Sequence, residues 1–377
     1  MRFIASLLIV ATGYAVHTHR ISRKADDPGG PADKAATRET RNLYRHLQRL
    51  PARGFLFGHQ DDLAYGVNWR YEPGRSDVLE VCGDYPGLFG WDLSGIESDH
   101  DKDIDGVPFD STRNYVRWVY AHGGVSTFSW HCPSPLGGGK TAWDTTHGTV
   151  ASILPGGANH ALYTRWLDKL AAYIGTFKDI PILFRPFHEH TGSWFWWGAK
   201  ECSPEEYKAL WRFTRSYLND TRGLHNILWV FNAGDNFKST ADFLARYPGD
   251  DAVDIISFDA YQYADPATFQ RSVGAGLSFL DSAAGITGKI EALAETGYEQ
   301  VPAPHWWTSV LVPTLAHHPI AYVLVWRNHG WNPYMNPPHM HYYAPYKGQV
   351  SAEDFVKFYS LENTLFARDA AKAKLYQ

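Results

Sequence analysis

One stretch of the sequence combines an acid, imidazoles and indoles at a density that suggests chemistry. Residues 184–198 read FRPFHEHTGSWFWWG, and the apolar residues before them are typical of a buried strand. Glu189 is therefore predicted at a strand end, beside several tryptophans. Partial desolvation in such a place raises the pKa of a carboxyl group, as a general acid requires. Because side chains alternate along a strand, we expect Arg185 on the same side as Glu189.

A second carboxylate, Glu295, ends the apolar run 290–295 and is followed by Thr296 and Gly297. A carboxylate that attacks carbon must stay ionised, and hydrogen bonds from arginine or tyrosine favour the ionised form. Arg185 and Tyr261 are the candidates for these donors. Two carboxylates on different strands are what glycoside hydrolysis needs, because one protonates the leaving oxygen and the other attacks carbon or activates water.

The elements that would position these residues follow an alternating pattern. Short apolar runs predict strands at 54–60, 88–92, 125–129, 182–186, 227–232, 254–259, 290–295 and 321–326. Helical patterns lie near 37–49, 111–121, 160–177, 204–218, 241–247, 267–281, 304–316 and 352–366. This alternation predicts an α/β fold, a single (β/α)₈ TIM barrel. A doubly wound open sheet gives the same local pattern, but no glycine-rich phosphate motif follows the first strand.

Polar and aromatic residues gather where the predicted strands end. The groups are His59-Gln60-Asp61-Asp62, Trp91-Asp92, Trp130-His131, His188-Glu189-His190, Asn232, Asp259-Ala260-Tyr261, Glu295-Thr296-Gly297 and Trp326-Arg327-Asn328. Barrel enzymes assemble their active sites at this rim. A purely structural barrel has no reason to concentrate polar groups there, because burying them unpaired costs free energy.

Composition narrows the class of ligand. The chain of 377 residues has 15 Trp, 22 Tyr and 20 Phe, several of them in loop-like stretches where an exposed indole can stack on the apolar face of a sugar. The net charge of −5, without a basic block, argues against nucleic acid as a partner. The three cysteines match no zinc pattern; unpaired thiols are expected, and a single disulfide in an oxidising compartment stays open as an alternative.

The amino terminus resembles a secretory signal. One arginine precedes the apolar run 3–16, and cleavage after Ala15 would release the chain, so we expect a secreted or periplasmic protein. Residues 1–15 are assigned to the signal, 16–36 to a flexible segment and 37–377 to the catalytic domain. The run is short for a membrane span and no other stretch approaches that length, so no membrane association is expected after cleavage. We also expect a monomer.

At residues 185–198 the sequence resembles the acid–base motif of glycoside hydrolase family 26, whose characterised members are mostly β-mannanases. The resemblance extends to Phe57-Gly58-His59-Gln60, Ser129-Trp130-His131, Asp259-Ala260-Tyr261, Ala294-Glu295-Thr296-Gly297 and Val325-Trp326-Arg327-Asn328. The long motif is specific, whereas Glu-Thr-Gly alone is weak. Thr191 departs from the asparagine that many members carry there, which affects a local hydrogen bond and not the acid.

This resemblance implies a retaining mechanism with Glu189 as acid/base and Glu295 as nucleophile, their carboxyl groups ~5–5.5 Å apart. The substrate-binding residues expected are His131, Trp143, His188, Trp194, Asp259, Tyr261, Trp326 and Arg327. Alternation along the chain sends some of the neighbouring tryptophans into the core, and Trp194 is the one favoured for sugar contact. His59 is expected to support the site without touching the ligand.

No cofactor and no metal is expected. The triplet 188–190 lacks the His-Glu-x-x-His spacing of helical zinc sites, and adjacent strand residues point to opposite faces.

The substrate implied is a β-1,4-mannan, cut internally or from an end. Two alternatives stay open: the same chemistry on β-1,3-xylan or mixed-linkage β-glucan, and a carbohydrate-binding barrel without activity. The stretch 331–346, rich in Pro, His and Tyr, is either a self-packed loop or one wall of the cleft.

Overall fold

The computed structural model describes residues 29–136, 138 and 141–377, and its centre is a closed barrel of eight parallel strands. The strands are β1 (Phe55–Gln60), β2 (Leu88–Asp92), β3 (Val125–Trp130), β4 (Ile182–Pro186), β5 (Ile227–Gly234), β6 (Ile255–Gln262), β7 (Ile290–Tyr298) and β8 (Ile320–Val325). β1 and β8 pair in parallel from Leu56↔Tyr322 to His59↔Val325, which closes the barrel. The predicted (β/α)₈ barrel is confirmed, and an open sheet is excluded.

Helices surround the strands. They are α1 (Arg38–Arg49), α2 (Asp77–Cys82), α3 (Phe109–Ala121), α4 (Thr149–Ile153), α5 (His160–Gly175), α6 (Pro204–Ser216), α7 (Thr240–Leu244), α8 (Pro266–Thr287), α9 (Val312–Leu315), α10 (Ala352–Tyr359) and α11 (Ala367–Ala373). α6 begins at a capping box, in which the Ser203 hydroxyl accepts from the Glu206 amide and the Glu206 carboxylate accepts from the Ser203 amide.

One predicted helix is wrong in extent. The pattern at 352–366 suggested a single helix, but α10 ends at Tyr359 and α11 begins at Ala367. Between them the short strand Thr364–Leu365 pairs with the start of β1. The apolar residues there pack against a strand, which periodicity over a short run does not distinguish from a helical face.

The amino-terminal end of the barrel is closed by α1. Its buried Leu43 and Leu47 belong to the same apolar cluster as Leu56, Leu183 and Leu228 on the barrel strands. A second, larger cluster lies between the strands and the outer helices. Because the amino end is filled, the carboxyl ends of the strands form the open face.

The segment before α1 contacts the amino-terminal face of the barrel. The Ala32 amide donates to Asp254 at 2.6 Å, and the Asp33 carboxylate accepts from Asn219 at 2.9 Å and His225 at 2.8 Å. Residues 1–28, which hold the predicted signal peptide and most of the predicted flexible segment, lie outside the described residues. The domain boundaries therefore stay predictions.

Two further expectations concern thiols and membranes. Cys82, Cys132 and Cys202 are all unpaired, as expected. In the described part of the chain, no helix has the length and apolar character needed to cross a membrane.

Asp254 offers a test of the contacts at the amino-terminal face. Its buried carboxylate accepts from the amides of Ala32 and Trp229, so Asp254→Ala leaves both donors without a partner. We expect a loss of about 2–4 kcal/mol in the free energy of unfolding, measured by urea denaturation. The control is Asp251→Ala, which removes an exposed pair with Arg212 and should cost less than about 1 kcal/mol. Equal losses in the two variants would contradict this account.

Candidate active site

Glu295 reaches the open end of the barrel through an irregularity in β7. The pairing of β6 with β7 shifts between Phe258↔Leu293 and Asp259↔Glu295, so one extra residue lies in β7 at that point. Such bulges re-aim a side chain, and they are common beside active sites. Glu295 is 5% exposed, and its carboxylate accepts hydrogen bonds from both predicted donors. Arg185 donates to Oε1, and the Tyr261 hydroxyl donates to Oε2 at 2.7 Å.

Arg185 lies between two carboxylates. Besides Glu295 it binds Asp259, with its Nη1 2.6 Å from the Asp259 Oδ2. Burial by itself lowers the pKa of the guanidinium, but the charges of Asp259 and Glu295 outweigh it and raise that pKa. Asp259 also accepts from Asn232 Nδ2 at 2.8 Å. Asp259, expected in the substrate cleft, is 2% exposed and occupied by these two donors.

Glu189 is positioned differently from what strand alternation predicts. β4 ends at Pro186, and both Phe187 and Glu189 have positive φ, 51° and 52°, so the chain turns before it reaches the acid. Strand alternation therefore does not explain the position of Glu189, because the strand ends before it, although Arg185 is among the charges that act on the Glu189 carboxyl group. Each such backbone conformation costs of order 1–3 kcal/mol and needs support from its surroundings. Asn232 supplies part of it by accepting the Glu189 amide at 2.9 Å.

The carboxyl group of Glu189 has a pKa raised to about 7. Burial is the largest cause and the nearby charge of Glu295 is the second. The Trp194 indole opposes the rise by donating to Glu189 Oε2 at 2.6 Å. Glu295 is thus surrounded by donors that stabilise a carboxylate, whereas Glu189 is held in conditions that favour the protonated acid.

Two histidines and an exposed tryptophan flank this pair. His131 Nδ1 lies 2.8 Å from an oxygen of the buried Asp92, and His131 Nε2 lies 3.2 Å from His188 Nε2. Burial lowers the pKa of His131, but Asp92 outweighs it and the net shift is upward. Burial and the neighbouring His131 both lower the pKa of His188. The exposed Trp143 stacks on His131 at 5.3 Å between ring centres.

The remaining tryptophans of the long motif divide as expected. Trp194 is 39% exposed, whereas Trp196 and Trp197 are fully buried. Their indoles donate to the carbonyls of Cys132 and His188, so they support the loop that carries the acid. His190 is buried beside aromatic rings, away from the contact between His188 and His131.

At the other side of the cleft lie Trp326 and Arg327, just beyond β8. Trp326 is half-buried. Arg327 forms an ion pair with Asp105, with Nε 3.0 Å from Oδ1, and lies 3.4 Å from the Tyr65 hydroxyl. Arg327, Asp105 and Trp331 line a cavity of about 920 Å³. Trp331 and Tyr334 thus place part of the stretch 331–346 in the wall of this cavity, on and beside the hairpin Gly330–Asn332 and His339–His341.

Two supporting residues had no role in the sequence-based prediction of the site, and a third, Thr191, was expected to affect only a local hydrogen bond. Asn232 links Asp259 to the Glu189 backbone, and Asp92 orients His131. Both belong to the polar groups at the predicted strand ends, and this position was the feature of the sequence that could have identified them. Thr191 bonds Gly234 twice, accepting from its amide at 3.0 Å and donating to its carbonyl at 3.2 Å. His59 contacts Asp62 and is buried, in agreement with its expected supporting position.

Known proteins resemble this chain over most of its length. The family model described as "Glycosyl hydrolase family 26" matches residues 32–300. A mannan endo-1,4-β-mannosidase of Bifidobacterium adolescentis is 33% identical over 364 residues, covering 89% of this chain and 35% of that protein. A mannan endo-1,4-β-mannosidase of Thermothelomyces thermophilus is 30% identical over 257 residues, covering 64% of this chain and 47% of that protein. The chain therefore spans about a third to a half of the length of these two curated relatives.

Solved structures give the same result. A family 26 β-mannanase from Bacteroides ovatus has a TM-score of 0.85 and 42% identity, covering 90% of this chain and 98% of that one. A family 26 protein from Muricauda sp. has a TM-score of 0.83 and 32% identity, covering 93% of this chain and 96% of that one. The chain belongs to glycosyl hydrolase family 26.

Proposed function

We propose that the chain is a retaining endo-β-1,4-mannanase in which Glu189 is the acid/base and Glu295 the nucleophile. The observation that carries this proposal is that the two carboxyl groups have different surroundings. Glu295 accepts from Arg185 and Tyr261, whereas the pKa of Glu189 is raised to about 7 by burial and by the charge of Glu295. The family and the relatives described as mannan endo-1,4-β-mannosidases support mannan as the substrate.

The proposed reaction has two steps. Glu295 attacks the anomeric carbon as Glu189 gives its proton to the leaving oxygen, which breaks the glycosidic bond and forms a glycosyl ester on Glu295. Ester formation removes the negative charge of Glu295, one of the two causes of the raised pKa of Glu189. The pKa of Glu189 then falls, so it can accept a proton from the water that hydrolyses the ester.

The proposed sugar contacts lie around this pair. Trp143 and Trp194 present exposed indole faces, while His131, His188, Tyr261, Trp326 and Arg327 provide polar or aromatic groups at the same rim. We assign Asp259 a positioning role instead, because its carboxylate is buried and occupied by Arg185 and Asn232.

The cellular setting is also a proposal. We infer a secreted or periplasmic monomer that acts on polysaccharide, supported by the signal-like residues 1–15 and by the carbohydrate substrate of the relatives.

The substrate can be tested with linear β-1,4-mannan, β-1,3-xylan and mixed-linkage β-glucan in a reducing-sugar assay. We expect release of reducing ends from mannan, with chromatography showing oligosaccharides of mixed length early in the reaction. Preferential release from xylan or glucan would favour the alternative substrates, and early release of mannobiose alone would contradict internal cleavage. Binding without hydrolysis of any polymer would overturn the enzymatic proposal.

The two roles can be separated with a mannoside that carries a good leaving group. Glu295→Ala should abolish release of that group, because no ester can form. Glu189→Ala should keep a burst of release and then turn over about 10²–10⁴-fold more slowly, because a good leaving group needs no acid while ester hydrolysis still needs the base. Glu205→Gln changes an exposed acid on α6 and serves as the control. Loss of the burst in both variants would refute the assignment.

The hydrogen bond from Trp194 predicts a pH effect. Since the indole N–H lowers the pKa of Glu189, Trp194→Phe should raise that pKa further above its ordinary value. The acid form is lost as the pH rises through the pKa, which is about 7 in the unaltered chain, so the alkaline limb of the kcat/KM profile should move to higher pH. Trp331→Phe, in the wall of the cavity beside Arg327, should leave the limb in place. A shift toward lower pH in the Trp194 variant would be the opposite of this expectation.

A further inference from the structure

Beside the cleft, three side chains that the proposed reaction does not use bring metal-ligating atoms together. Glu299 directly follows β7, and His339 and His341 lie on the short strand His339–His341. Glu299 Oε1 is 2.9 Å from His339 Nε2 and 2.8 Å from His341 Nδ1. These three atoms all lie within 4.8 Å of one another.

We propose that Glu299, His339 and His341 bind a divalent transition-metal ion of the zinc class. Two imidazole nitrogens and one carboxylate oxygen are a common protein ligand set for Zn²⁺, at bond lengths of about 2.0–2.2 Å. Tetrahedral ligands at that radius lie roughly 3.3–3.5 Å apart, so the carboxylate must retreat by about half an ångström from each imidazole. The Glu299 side chain is 33% exposed, which leaves room for this movement.

The backbone positions His339 and His341 beside Glu299. His339 and His341 are alternate residues of a strand and therefore project to the same face. Gln300, next to Glu299, fixes the register between this strand and the end of β7. Its amide donates to the Tyr342 carbonyl at 2.8 Å, and its side chain donates to the Met340 carbonyl at 2.8 Å.

The orientation of His339 suits a ligand. Its Nδ1 lies 2.7 Å from the Pro337 carbonyl, which can only accept, so Nδ1 carries a proton and Nε2 points toward Glu299. A hydrogen bond from the second ring nitrogen to a carbonyl is the usual support of a metal-binding histidine. The ion would replace the proton through which Nε2 now contacts the carboxylate.

Charge and access are compatible with a cation. Arg327 and His339 are the positive groups that act on His341, and Arg327 is paired with Asp105 at 3.0 Å. His339 is 31% exposed in its side chain, so water can reach the site and complete the coordination shell.

The ion would have a structural effect on the cleft. It would fasten the hairpin of Gly330–Asn332 and His339–His341, which carries Trp331, to the end of the strand that bears Glu295. The His341 ring contacts Tyr343 edge-on at 5.3 Å, and Tyr343 contacts Tyr261 at 5.4 Å. Tyr261 in turn donates to Glu295, so the bound ion would steady the surroundings of the nucleophile.

The test uses the full chain, freed of metal with a chelator and then titrated with ZnCl₂ against a chromophoric chelator. We expect one equivalent of Zn²⁺ to bind at this site and to raise the Tm. His341→Ala and Glu299→Gln should each weaken that binding by at least about tenfold and abolish the rise. His339→Gln keeps a hydrogen-bond donor near Glu299 but loses the imidazole, so it should fold normally and lose the ion.

The control is His318→Ala, because His318 pairs with Asp281 at 2.7 Å without a third ligand. It should bind Zn²⁺ as the unaltered chain does. The proposal is overturned if the unaltered chain binds no equivalent of Zn²⁺, or if the three site variants bind it as tightly as the control. Neither result bears on the proposed mannanase activity, since binding and Tm are measured without substrate.

Discussion

The active site depends on one buried cation. Arg185 lies between Asp259 and Glu295, and breaking such a buried arrangement is costly because it leaves charges without a partner. The guanidinium donates to Glu295 and at the same time fixes Asp259. Asp259 holds the Asn232 amide, and Asn232 accepts the backbone N–H of Glu189. The positions of the two carboxyl groups, which lie on different elements, are thus linked through a single charge.

The irregular chain after β4 is held by packing as well as by this polar network. Phe187 and Glu189 adopt conformations that are unfavourable by themselves, and the buried indoles of Trp196 and Trp197 fix the loop that follows. Gly192 is needed there, because a Cβ atom would come within 2.5 Å of the Trp194 ring. The aromatic residues of the motif therefore have two roles. Trp194 exposes its ring at the cleft, whereas Trp196 and Trp197 pack beneath the loop that carries Glu189.

Periodicity predicted all eight strands and their polar carboxyl ends, because the apolar runs of a parallel barrel are buried on both faces. Periodicity gave wrong positions where a strand or helix ends early or contains an extra residue. Glu189 lies beyond the end of β4, Glu295 follows an extra residue in β7, and α10 ends before a short strand. The grouping of Glu299 with His339 and His341 was also missed, because only the tertiary pairing of two distant segments brings these residues together.

The closure of the barrel by α1 has a consequence for orientation. Residues 29–36 contact the face at the amino ends of the strands, through Asp254 and His225, while both carboxyl groups lie at the opposite face. Residues 29–36 therefore lie on the side of the barrel away from the cleft. The described chain thus begins at the face opposite the two carboxyl groups, and a long polymer can bind at the open face without meeting residues 29–36.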